Sequence, residues 1–416
     1  MNAMQRREFS RTLLTAASAA QILRANERLR IGVIGCGGRG REVLRDFLKT
    51  NEVEAVALCD VYKPFLAEAR EMSGGKADTY EDYRRLLERK DIDAVIIATP
   101  DHWHALMTID AVNSGKDVYC EKPLTLMIGE GRRMVEAARR TNKIVQTGSQ
   151  QRSGSHYASA VKLIRDGALG DVHVIKAGFA RNEAQGFAPR ALAGGLTSDL
   201  NWDLWLGPAP YRPFDPFRCI YNFRWFWDYS GGQMTNWGAH HLDIARWIVN
   251  EPGPLSVSGF AARFKIKDGG ETPDVQEVIY RFRNSVVTWS AREINDGRGP
   301  SLDIHGSLGT MTLVRRGYTV HPETRNKKAL MEALSETGTD LNSQHIRNFL
   351  DCVKSRKLPN ADVEEGHRSA VMCHLGNIAS RLNRTVQWDP ASEKIIGDAE
   401  AAKLAMRPYR APWKLS

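Results

Sequence analysis

The stretch LRIGVIGCGGRG at residues 29–40 leaves this chain little choice of fold. An apolar run stops in a glycine-rich turn and opens at once into the helical pattern REVLRDFLK, so a strand must feed a helix through a turn without bulky side chains. Gly35, Gly37 and Gly40 fit GxGxxG, and each has its own reason: Gly35 permits the tight turn, Gly37 lets the backbone approach a pyrophosphate, and Gly40 lets helix pack closely on strand. Gly38 and Arg39 lie in the same turn, whose free N–H groups at the helix start face an anion.

Twenty residues past Gly40 the next apolar run, VEAVALCD, stops at Asp60. A carboxylate there accepts both ribose hydroxyls of an adenosine and repels a 2′-phosphate, which predicts NAD rather than NADP as cofactor. The plainer reading of Asp60 is a helix cap. Residues 63–72 read as a helix, 80–87 as a second short one, and 94–98 as a buried strand ending at Thr99-Pro100. Then follow a helix over 101–115, with His104 as its cap, a strand over 117–120 running into Glu121-Lys122-Pro123, a helix over 125–141 and a strand over 144–146. Strands alternating with helices predict a doubly wound parallel sheet over residues 28–150. Ligands of such sheets lie outside the carboxyl ends of the strands, where Thr99, Pro100, His102, Glu121, Lys122 and Gln150 stand.

Beyond Gln150 the pattern changes. Strands are predicted over 172–179, 255–264, 275–282, 285–291 and 302–305, most without a helix between them. The α/β domain over 151–384 is therefore expected to carry an open, largely antiparallel sheet, with one face free for subunit contact and a late helix over 364–379. Residues 385–416, with Trp388 and Pro390, read as a tail packed on the body. Between the strands, residues 202–229 hold eleven aromatic side chains among Gly, Pro and Arg without helical period. Most of these rings belong to a core. Some, Tyr221, Trp225 and Trp227 among them, are candidates for the wall of a sugar site, because the C–H faces of sugars suit aromatic rings.

With 416 residues the chain suits two domains. A net charge of +9 would suit acidic partners, but Lys and Arg are spread without a basic run mixed with stacking aromatics, which argues against nucleic acid. The six cysteines have neither CxxC nor regular spacing, so no metal site or disulfide framework is expected. At the N-terminus, QRREFSR followed by LLTAASAA reads as a twin-arginine signal over residues 1–25. That places the protein in the periplasm, or in the cytoplasm if the signal is not functional. The run is too short to span a bilayer as a mature helix.

From Gly231 the chain reads GGQMTNWGAHHLDIARW. Together with GxGxxG, Asp60, ATPDHWH and EKP, in that order, this resembles the Gfo/Idh/MocA family, named for glucose-fructose oxidoreductase, inositol dehydrogenase and MocA. The resemblance runs from about Leu29 to the end of the chain. It implies a Rossmann domain followed by an α/β domain whose open sheet makes homodimers or homotetramers, and it gives Lys122 a place near the nicotinamide and the reacting hydroxyl. His240 matches the histidine that takes or gives the hydroxyl proton. The family's frequent Asp four residues before that histidine is Asn236 here, which orients a hydroxyl but accepts no proton at neutral pH. Arg152, Tyr157, His241 and Asp243 are further candidates to line the substrate cleft.

The chemistry agrees with the resemblance. Oxidising CH–OH needs a base for the proton and a nicotinamide for the hydride, and a lysine beside like charge or a histidine suits the first task. If helical, Asn236, His240 and Asp243 share a face. The alternative readings of His240-His241-Asp243 are a capped, solvated helix start or a metal site, though no third and fourth ligand cluster is apparent. The expected function is NAD-dependent oxidation of a secondary hydroxyl of a sugar or glycoside. One rival is a redox-neutral glycosidase with tightly bound NAD, and another is a dinucleotide-dependent binding protein without activity. Asp60→Ala is expected to weaken NAD binding and relax the preference over NADP, and tighter binding of NADP by the unmutated protein in calorimetric titration would refute the assignment of Asp60.

Overall fold

The glycine turn adopts the form its spacing dictates. In the computed structural model, which describes residues 28–186, 196–295, 297 and 301–415, strand β1 (Leu29–Ile34) ends at Gly35, whose φ is +89°. A Cβ there would lie 2.7 Å from the backbone of Ala98 and Thr99, and one on Gly40 would lie 1.9 Å from the Gly35 carbonyl oxygen. Helix α1 (Gly38–Leu48) can therefore sit on the sheet only with glycine at both positions. The signal-like residues 1–25 lie outside the described residues.

The alternation continues through β2 (Val53–Cys59), α2 (Lys63–Met72), β3 (Asp78–Tyr80), α3 (Tyr83–Leu87), β4 (Ala94–Ile97), α4 (Asp101–Asn113), β5 (Asp117–Cys120), α5 (Ile128–Thr141) and β6 (Val145–Thr147). These strands pair in the order β3-β2-β1-β4-β5-β6, all parallel, as expected. Two boundaries here differ from the sequence reading by more than two residues. Residues 80–87 divide into strand and helix because Asp82 caps α3, its carboxylate accepting from the Arg84 N–H. Helix α5 starts three residues late because the Glu130 carboxylate accepts from the N–H groups of Leu126 and Met127.

The second half contributes β7 (Val172–Ala180), β8 (Ser256–Ala262), β9 (Val275–Arg281), β10 (Val286–Arg292), β11 (Ser301–Gly306), β12 (Gly309–Val314) and β13 (Gly317–Pro322). After the small pair β14 (Thr324–Arg325) and β15 (Lys328–Ala329) come β16 (Leu334–Thr337), β17 (Val386–Asp389) and β18 (Lys394–Ile396). Ten of these strands form one sheet, ordered β16-β13-β12-β11-β7-β10-β9-β8-β17-β18. Only the β7–β10 pairing is parallel. Strands β12, β13 and β16 escaped the sequence reading, and the expected tail supplies β17 and β18 to the sheet.

The intervening helices are α6 (Ser155–Arg165), α7 (Leu196–Asp199), α8 (Trp202–Leu206), α9 (Ala239–Val249), α10 (Leu341–Ser355), α11 (Val363–Leu382) and α12 (Ala399–Lys403). One face of the large sheet packs on α6, α9 and α11. The opposite face carries Phe260 and Ile279, each just over half exposed.

Chain order and spatial order part company at α10. Its Ile346, Phe349, Leu350 and Cys352 are buried with Ile31, Val33 and Phe47 of the first domain, and the Phe349 ring meets Phe47 at 5.7 Å and Tyr119 at 6.0 Å. A boundary at residue 150 thus divides the sequence but not the core. Burial of a ring such as Phe349 contributes about 1.5–3 kcal/mol.

A buried ion network fixes α9 within the second domain. Arg152 Nε donates to both Asp243 oxygens at 2.8 Å, and its Nη2 lies 3.0 Å from Glu365 on α11, which also pairs with Arg246. Removing one partner of a buried pair leaves a charge that neither water nor protein compensates. Asp243→Asn is expected to lower the unfolding free energy by about 3–5 kcal/mol in urea titration; a loss below about 1 kcal/mol would show that the network is not structural.

Candidate active site

A cavity of about 710 Å³ runs along the carboxyl ends of the parallel strands. It is walled on one side by Gly35, Gly37, Gly38 and Arg39 of the glycine turn, and on the other by Asn236, Trp237 and His240 of the second domain. Asp60, Thr99, Pro100, Glu121, Lys122, Gln150 and Tyr221 also line it. The sequence placed each of these except Trp237 at the site.

At the β2 end, Asp60 Oδ2 accepts from the Cys36 N–H at 2.6 Å and Oδ1 from the Tyr62 N–H at 2.8 Å. Burial pushes its carboxyl up to about 6, against the pull of those N–H groups and of Arg41. Each oxygen keeps a lone pair for a ribose hydroxyl. Three residues that line the cavity each carry a buried polar atom without a protein partner: Thr99 Oγ1, His240 Nδ1 and Trp413 Nε1. An unpaired buried donor or acceptor costs about 1–3 kcal/mol. A polar ligand laid along the cleft would relieve that cost, so the residues present fit a dinucleotide.

Glu121 and Lys122 follow β5. Arg39 Nε reaches across to Glu121 Oε1 at 2.9 Å, and the Lys122 N–H donates to Oε2 at 3.2 Å. Burial alone would raise the Glu121 carboxyl, but Arg39 and Lys122 outweigh it and hold it below its ordinary value. Lys122 Nζ donates to the Asn236 backbone carbonyl at 3.0 Å and to its Oδ1 at 3.1 Å. Burial, partly opposed by Glu121, brings this amine down to about 8. Asn236 was expected to orient a hydroxyl. Its side-chain oxygen instead accepts from Lys122 while Nδ2 donates to Gln233 at 3.2 Å, so it positions the lysine.

His240 is buried, and burial with the nearby charge of Lys122 pushes its pKa well below the ordinary histidine value. The imidazole is therefore neutral, with one donor and one acceptor nitrogen. A single π-helical turn, Met234–Gly238, precedes α9. Asn236 and Trp237 on this turn and His240 on the helix after it face the cavity, while Asp243, three residues further along α9, turns to Arg152. Of the shared face expected for Asn236, His240 and Asp243, the first two residues reach the cavity and Asp243 does not.

Several candidates lie off the cavity. Gly40 packs beneath the turn. His102 is buried against Trp205 and Tyr229, its Nε2 3.2 Å from the Trp205 carbonyl oxygen. His104 is not a cap: it sits inside α4, its ring nitrogens 2.7 Å from the Pro123 carbonyl oxygen and 2.9 Å from that of Thr99. It so clamps two loops of the site together. Arg152 and Asp243 are committed to their ion network, and Tyr157 to the Gln151 side chain. Trp225 is core under the Arg181 guanidinium, Trp227 lies beneath Arg381, and His241 Nδ1 donates to the Ser301 carbonyl at 3.1 Å. The segment 202–229, read as a loop, holds α8 and a 3₁₀ turn at Asn222–Trp225.

The cleft also contains residues that the sequence reading missed. Trp237 stacks on Phe179 at 5.1 Å and 19°, with the Arg315 guanidinium 4.9 Å from its ring. Its position beside Asn236 in the histidine motif was a usable signal. Arg315 arrives from the turn between β12 and β13, and Arg224 from the aromatic segment, and neither position was marked by a pattern.

Residues 29–149 match the family described as "Oxidoreductase family, NAD-binding Rossmann fold", and residues 190–415 match "Oxidoreductase family, C-terminal alpha/beta domain". The chain is 24% identical over 377 residues to myo-inositol 2-dehydrogenase of Thermotoga maritima, covering 89% of this chain and 100% of that one. It is 35% identical over 154 residues to glycosyl hydrolase family 109 protein 1 of Shewanella sp. (strain ANA-3), a match to 35% of this chain and 34% of that protein. In fold it is similar to levoglucosan dehydrogenase solved with NADH and levoglucosan, with a TM-score of 0.68 at 18% identity over 87% of this chain and 99% of that one. The aldose-aldose oxidoreductase of Caulobacter crescentus, solved with glycerol, gives a TM-score of 0.67 at 18% identity over 87% of this chain and 100% of that one. With its NAD-binding domain and its second α/β domain both matched, the chain belongs to the Gfo/Idh/MocA oxidoreductase family.

Proposed function

We propose that this protein oxidises a secondary hydroxyl of a sugar or glycoside, with Lys122 handling the hydroxyl proton. The observation that carries the reading is the pair of bonds from Lys122 Nζ to Asn236. A neutral amine has two N–H groups and one lone pair. With both N–H groups accepted by Asn236, the lone pair is left for a hydroxyl in the cavity. Bound NAD supplies the acceptor for the hydride. On taking the proton, Lys122 becomes an ammonium whose third N–H donates to the new carbonyl oxygen. His240, kept neutral, fixes the hydroxyl by a hydrogen bond, and the proton comes to rest on the lysine.

Tyr221, Trp237, Arg224 and Arg315 offer ring faces and N–H donors, a lining suited to a polyhydroxylated substrate. The names of the dehydrogenase relatives agree with that class. The glycosyl hydrolase match favours a second reading with the same first step. Oxidation at C3 acidifies the adjacent C–H, the aglycone leaves by elimination, water adds, and the hydride returns, so the net reaction is hydrolysis. A twin-arginine leader adds weight, because an exported enzyme meets little free NAD. Assembly into homodimers or homotetramers through the open sheet face belongs to this proposal too.

Because Lys122 must be neutral to accept a proton, kcat/KM for oxidation is expected to rise with pH through about 8, and ketone reduction to fall over the same range. A flat profile between these limits would remove Lys122 from the proton step. Lys122→Ala is expected to lose about 10²–10⁴-fold in turnover while NAD binding persists. To separate the two readings, a nitrophenyl glycoside deuterated at the oxidised carbon is incubated without added NAD. Retained label with aglycone release supports the closed cycle, whereas obligatory NAD with stoichiometric NADH establishes a dehydrogenase.

A further inference from the structure

After α12 the chain crosses from the second domain onto the first as a strap that ends at the cofactor cleft. It is held at several points: the Ala405 carbonyl accepts from the Gly129 N–H at 3.0 Å, and the Tyr409 hydroxyl donates to Glu130 at 2.7 Å. Arg407 Nη2 donates to the Asp228 carbonyl at 2.6 Å, and Arg410 bonds the Gly207 carbonyl at 2.9 Å and the Asp203 carboxylate at 2.6 Å.

These anchors deliver Trp413, which is only 7% exposed. Its ring lies edge-on to Trp103 at 4.8 Å and 82°, nearly parallel to Tyr83 at 6.4 Å and 26°, with the Arg84 guanidinium 4.7 Å away. Tyr83 follows β3, so this wall stands on the Asp60 side of the cleft, away from Lys122 at β5. Tyr83, Trp103, Met107 and Trp413 together make a largely apolar wall. Within it, Trp413 Nε1 is a buried donor with no protein partner. A planar heterocycle with ring-nitrogen acceptors, joined to a ribose that reaches Asp60, matches both the apolar surface and the unused N–H.

We propose that Trp413 is a binding residue for the adenosine half of the dinucleotide. Its indole N–H donates to the nucleoside, and its ring closes that end of the cleft, so the cofactor leaves only when the C-terminal strap lifts. The proposal rests on the assignment of NAD to this cleft.

The test uses the full chain and three variants: Trp413→Phe, Trp413→Ala and Arg410→Ala. Affinities for NAD and AMP are measured by calorimetry and NAD release by stopped-flow displacement. Trp413→Phe keeps a ring but loses the donor, and is expected to weaken NAD and AMP alike by about 3- to 10-fold. Trp413→Ala should weaken both further. Arg410→Ala, which removes an anchor outside the cavity, should speed NAD release about 3-fold or more, and it serves as the test if the alanine variant fails to fold. Unchanged affinities in Trp413→Phe together with unchanged release in Arg410→Ala would overturn the proposal. So would tighter NAD binding in Trp413→Ala, because the indole would then be a plug. An unmutated chain that binds neither NAD nor AMP would overturn the cofactor assignment along with it.

Discussion

The bond between Lys122 and Asn236 joins the two halves of the molecule inside the large cavity. The lysine stands at the end of a parallel strand of the first domain, and the asparagine on a π turn of the second. Neither position has meaning without the other. Lys122 would be a buried cation with unmet donors, and Asn236 an amide facing an empty cleft. The arrangement holds because the surroundings of both groups are rigid: His104 ties the loops after β4 and β5, and the Arg152–Asp243–Glu365 network fixes α9 against α11.

That rigidity requires burial of many ionisable groups. Glu121, Lys122, His240 and Asp60 all lie where desolvation opposes their charged forms, and each is compensated differently. Arg39 and Lys122 overcome the burial of Glu121, and backbone N–H groups temper that of Asp60. His240 receives no such compensation and stays neutral. These four groups within one cleft are thus moved from their ordinary values in different directions by burial and by their neighbours.

Local patterns made the first domain legible. The GxGxxG turn, the period of the strands and the Asp at the end of β2 are short-range signals, and the parallel sheet follows from them. Lys122 and His240 were readable because each stands within a compact motif. What escaped depended on contacts distant in sequence. Strands β12 and β13 are stabilised by the sheet they join. Arg152 and Asp243 are types of residue found in clefts, but here they satisfy each other 91 positions apart. In segment 202–229 composition could not distinguish a ring that faces a ligand from one that faces its neighbours: Tyr221 lines the cavity, while Trp225 is core.

The return of α10 and of the final residues to the first domain bears on the order of events during synthesis. The sheet that carries the glycine turn is complete in sequence by Thr147, yet one of its faces lacks Phe349 and Leu350 until the ribosome has moved some 200 residues further. Trp413 emerges later still, after every strand of both sheets. A nascent chain therefore exposes an unfinished apolar face while the residues between Thr147 and Phe349 are made. The Trp413 side of the cleft wall is therefore the last part of the cavity lining to be supplied, after the sheets that carry the rest of it.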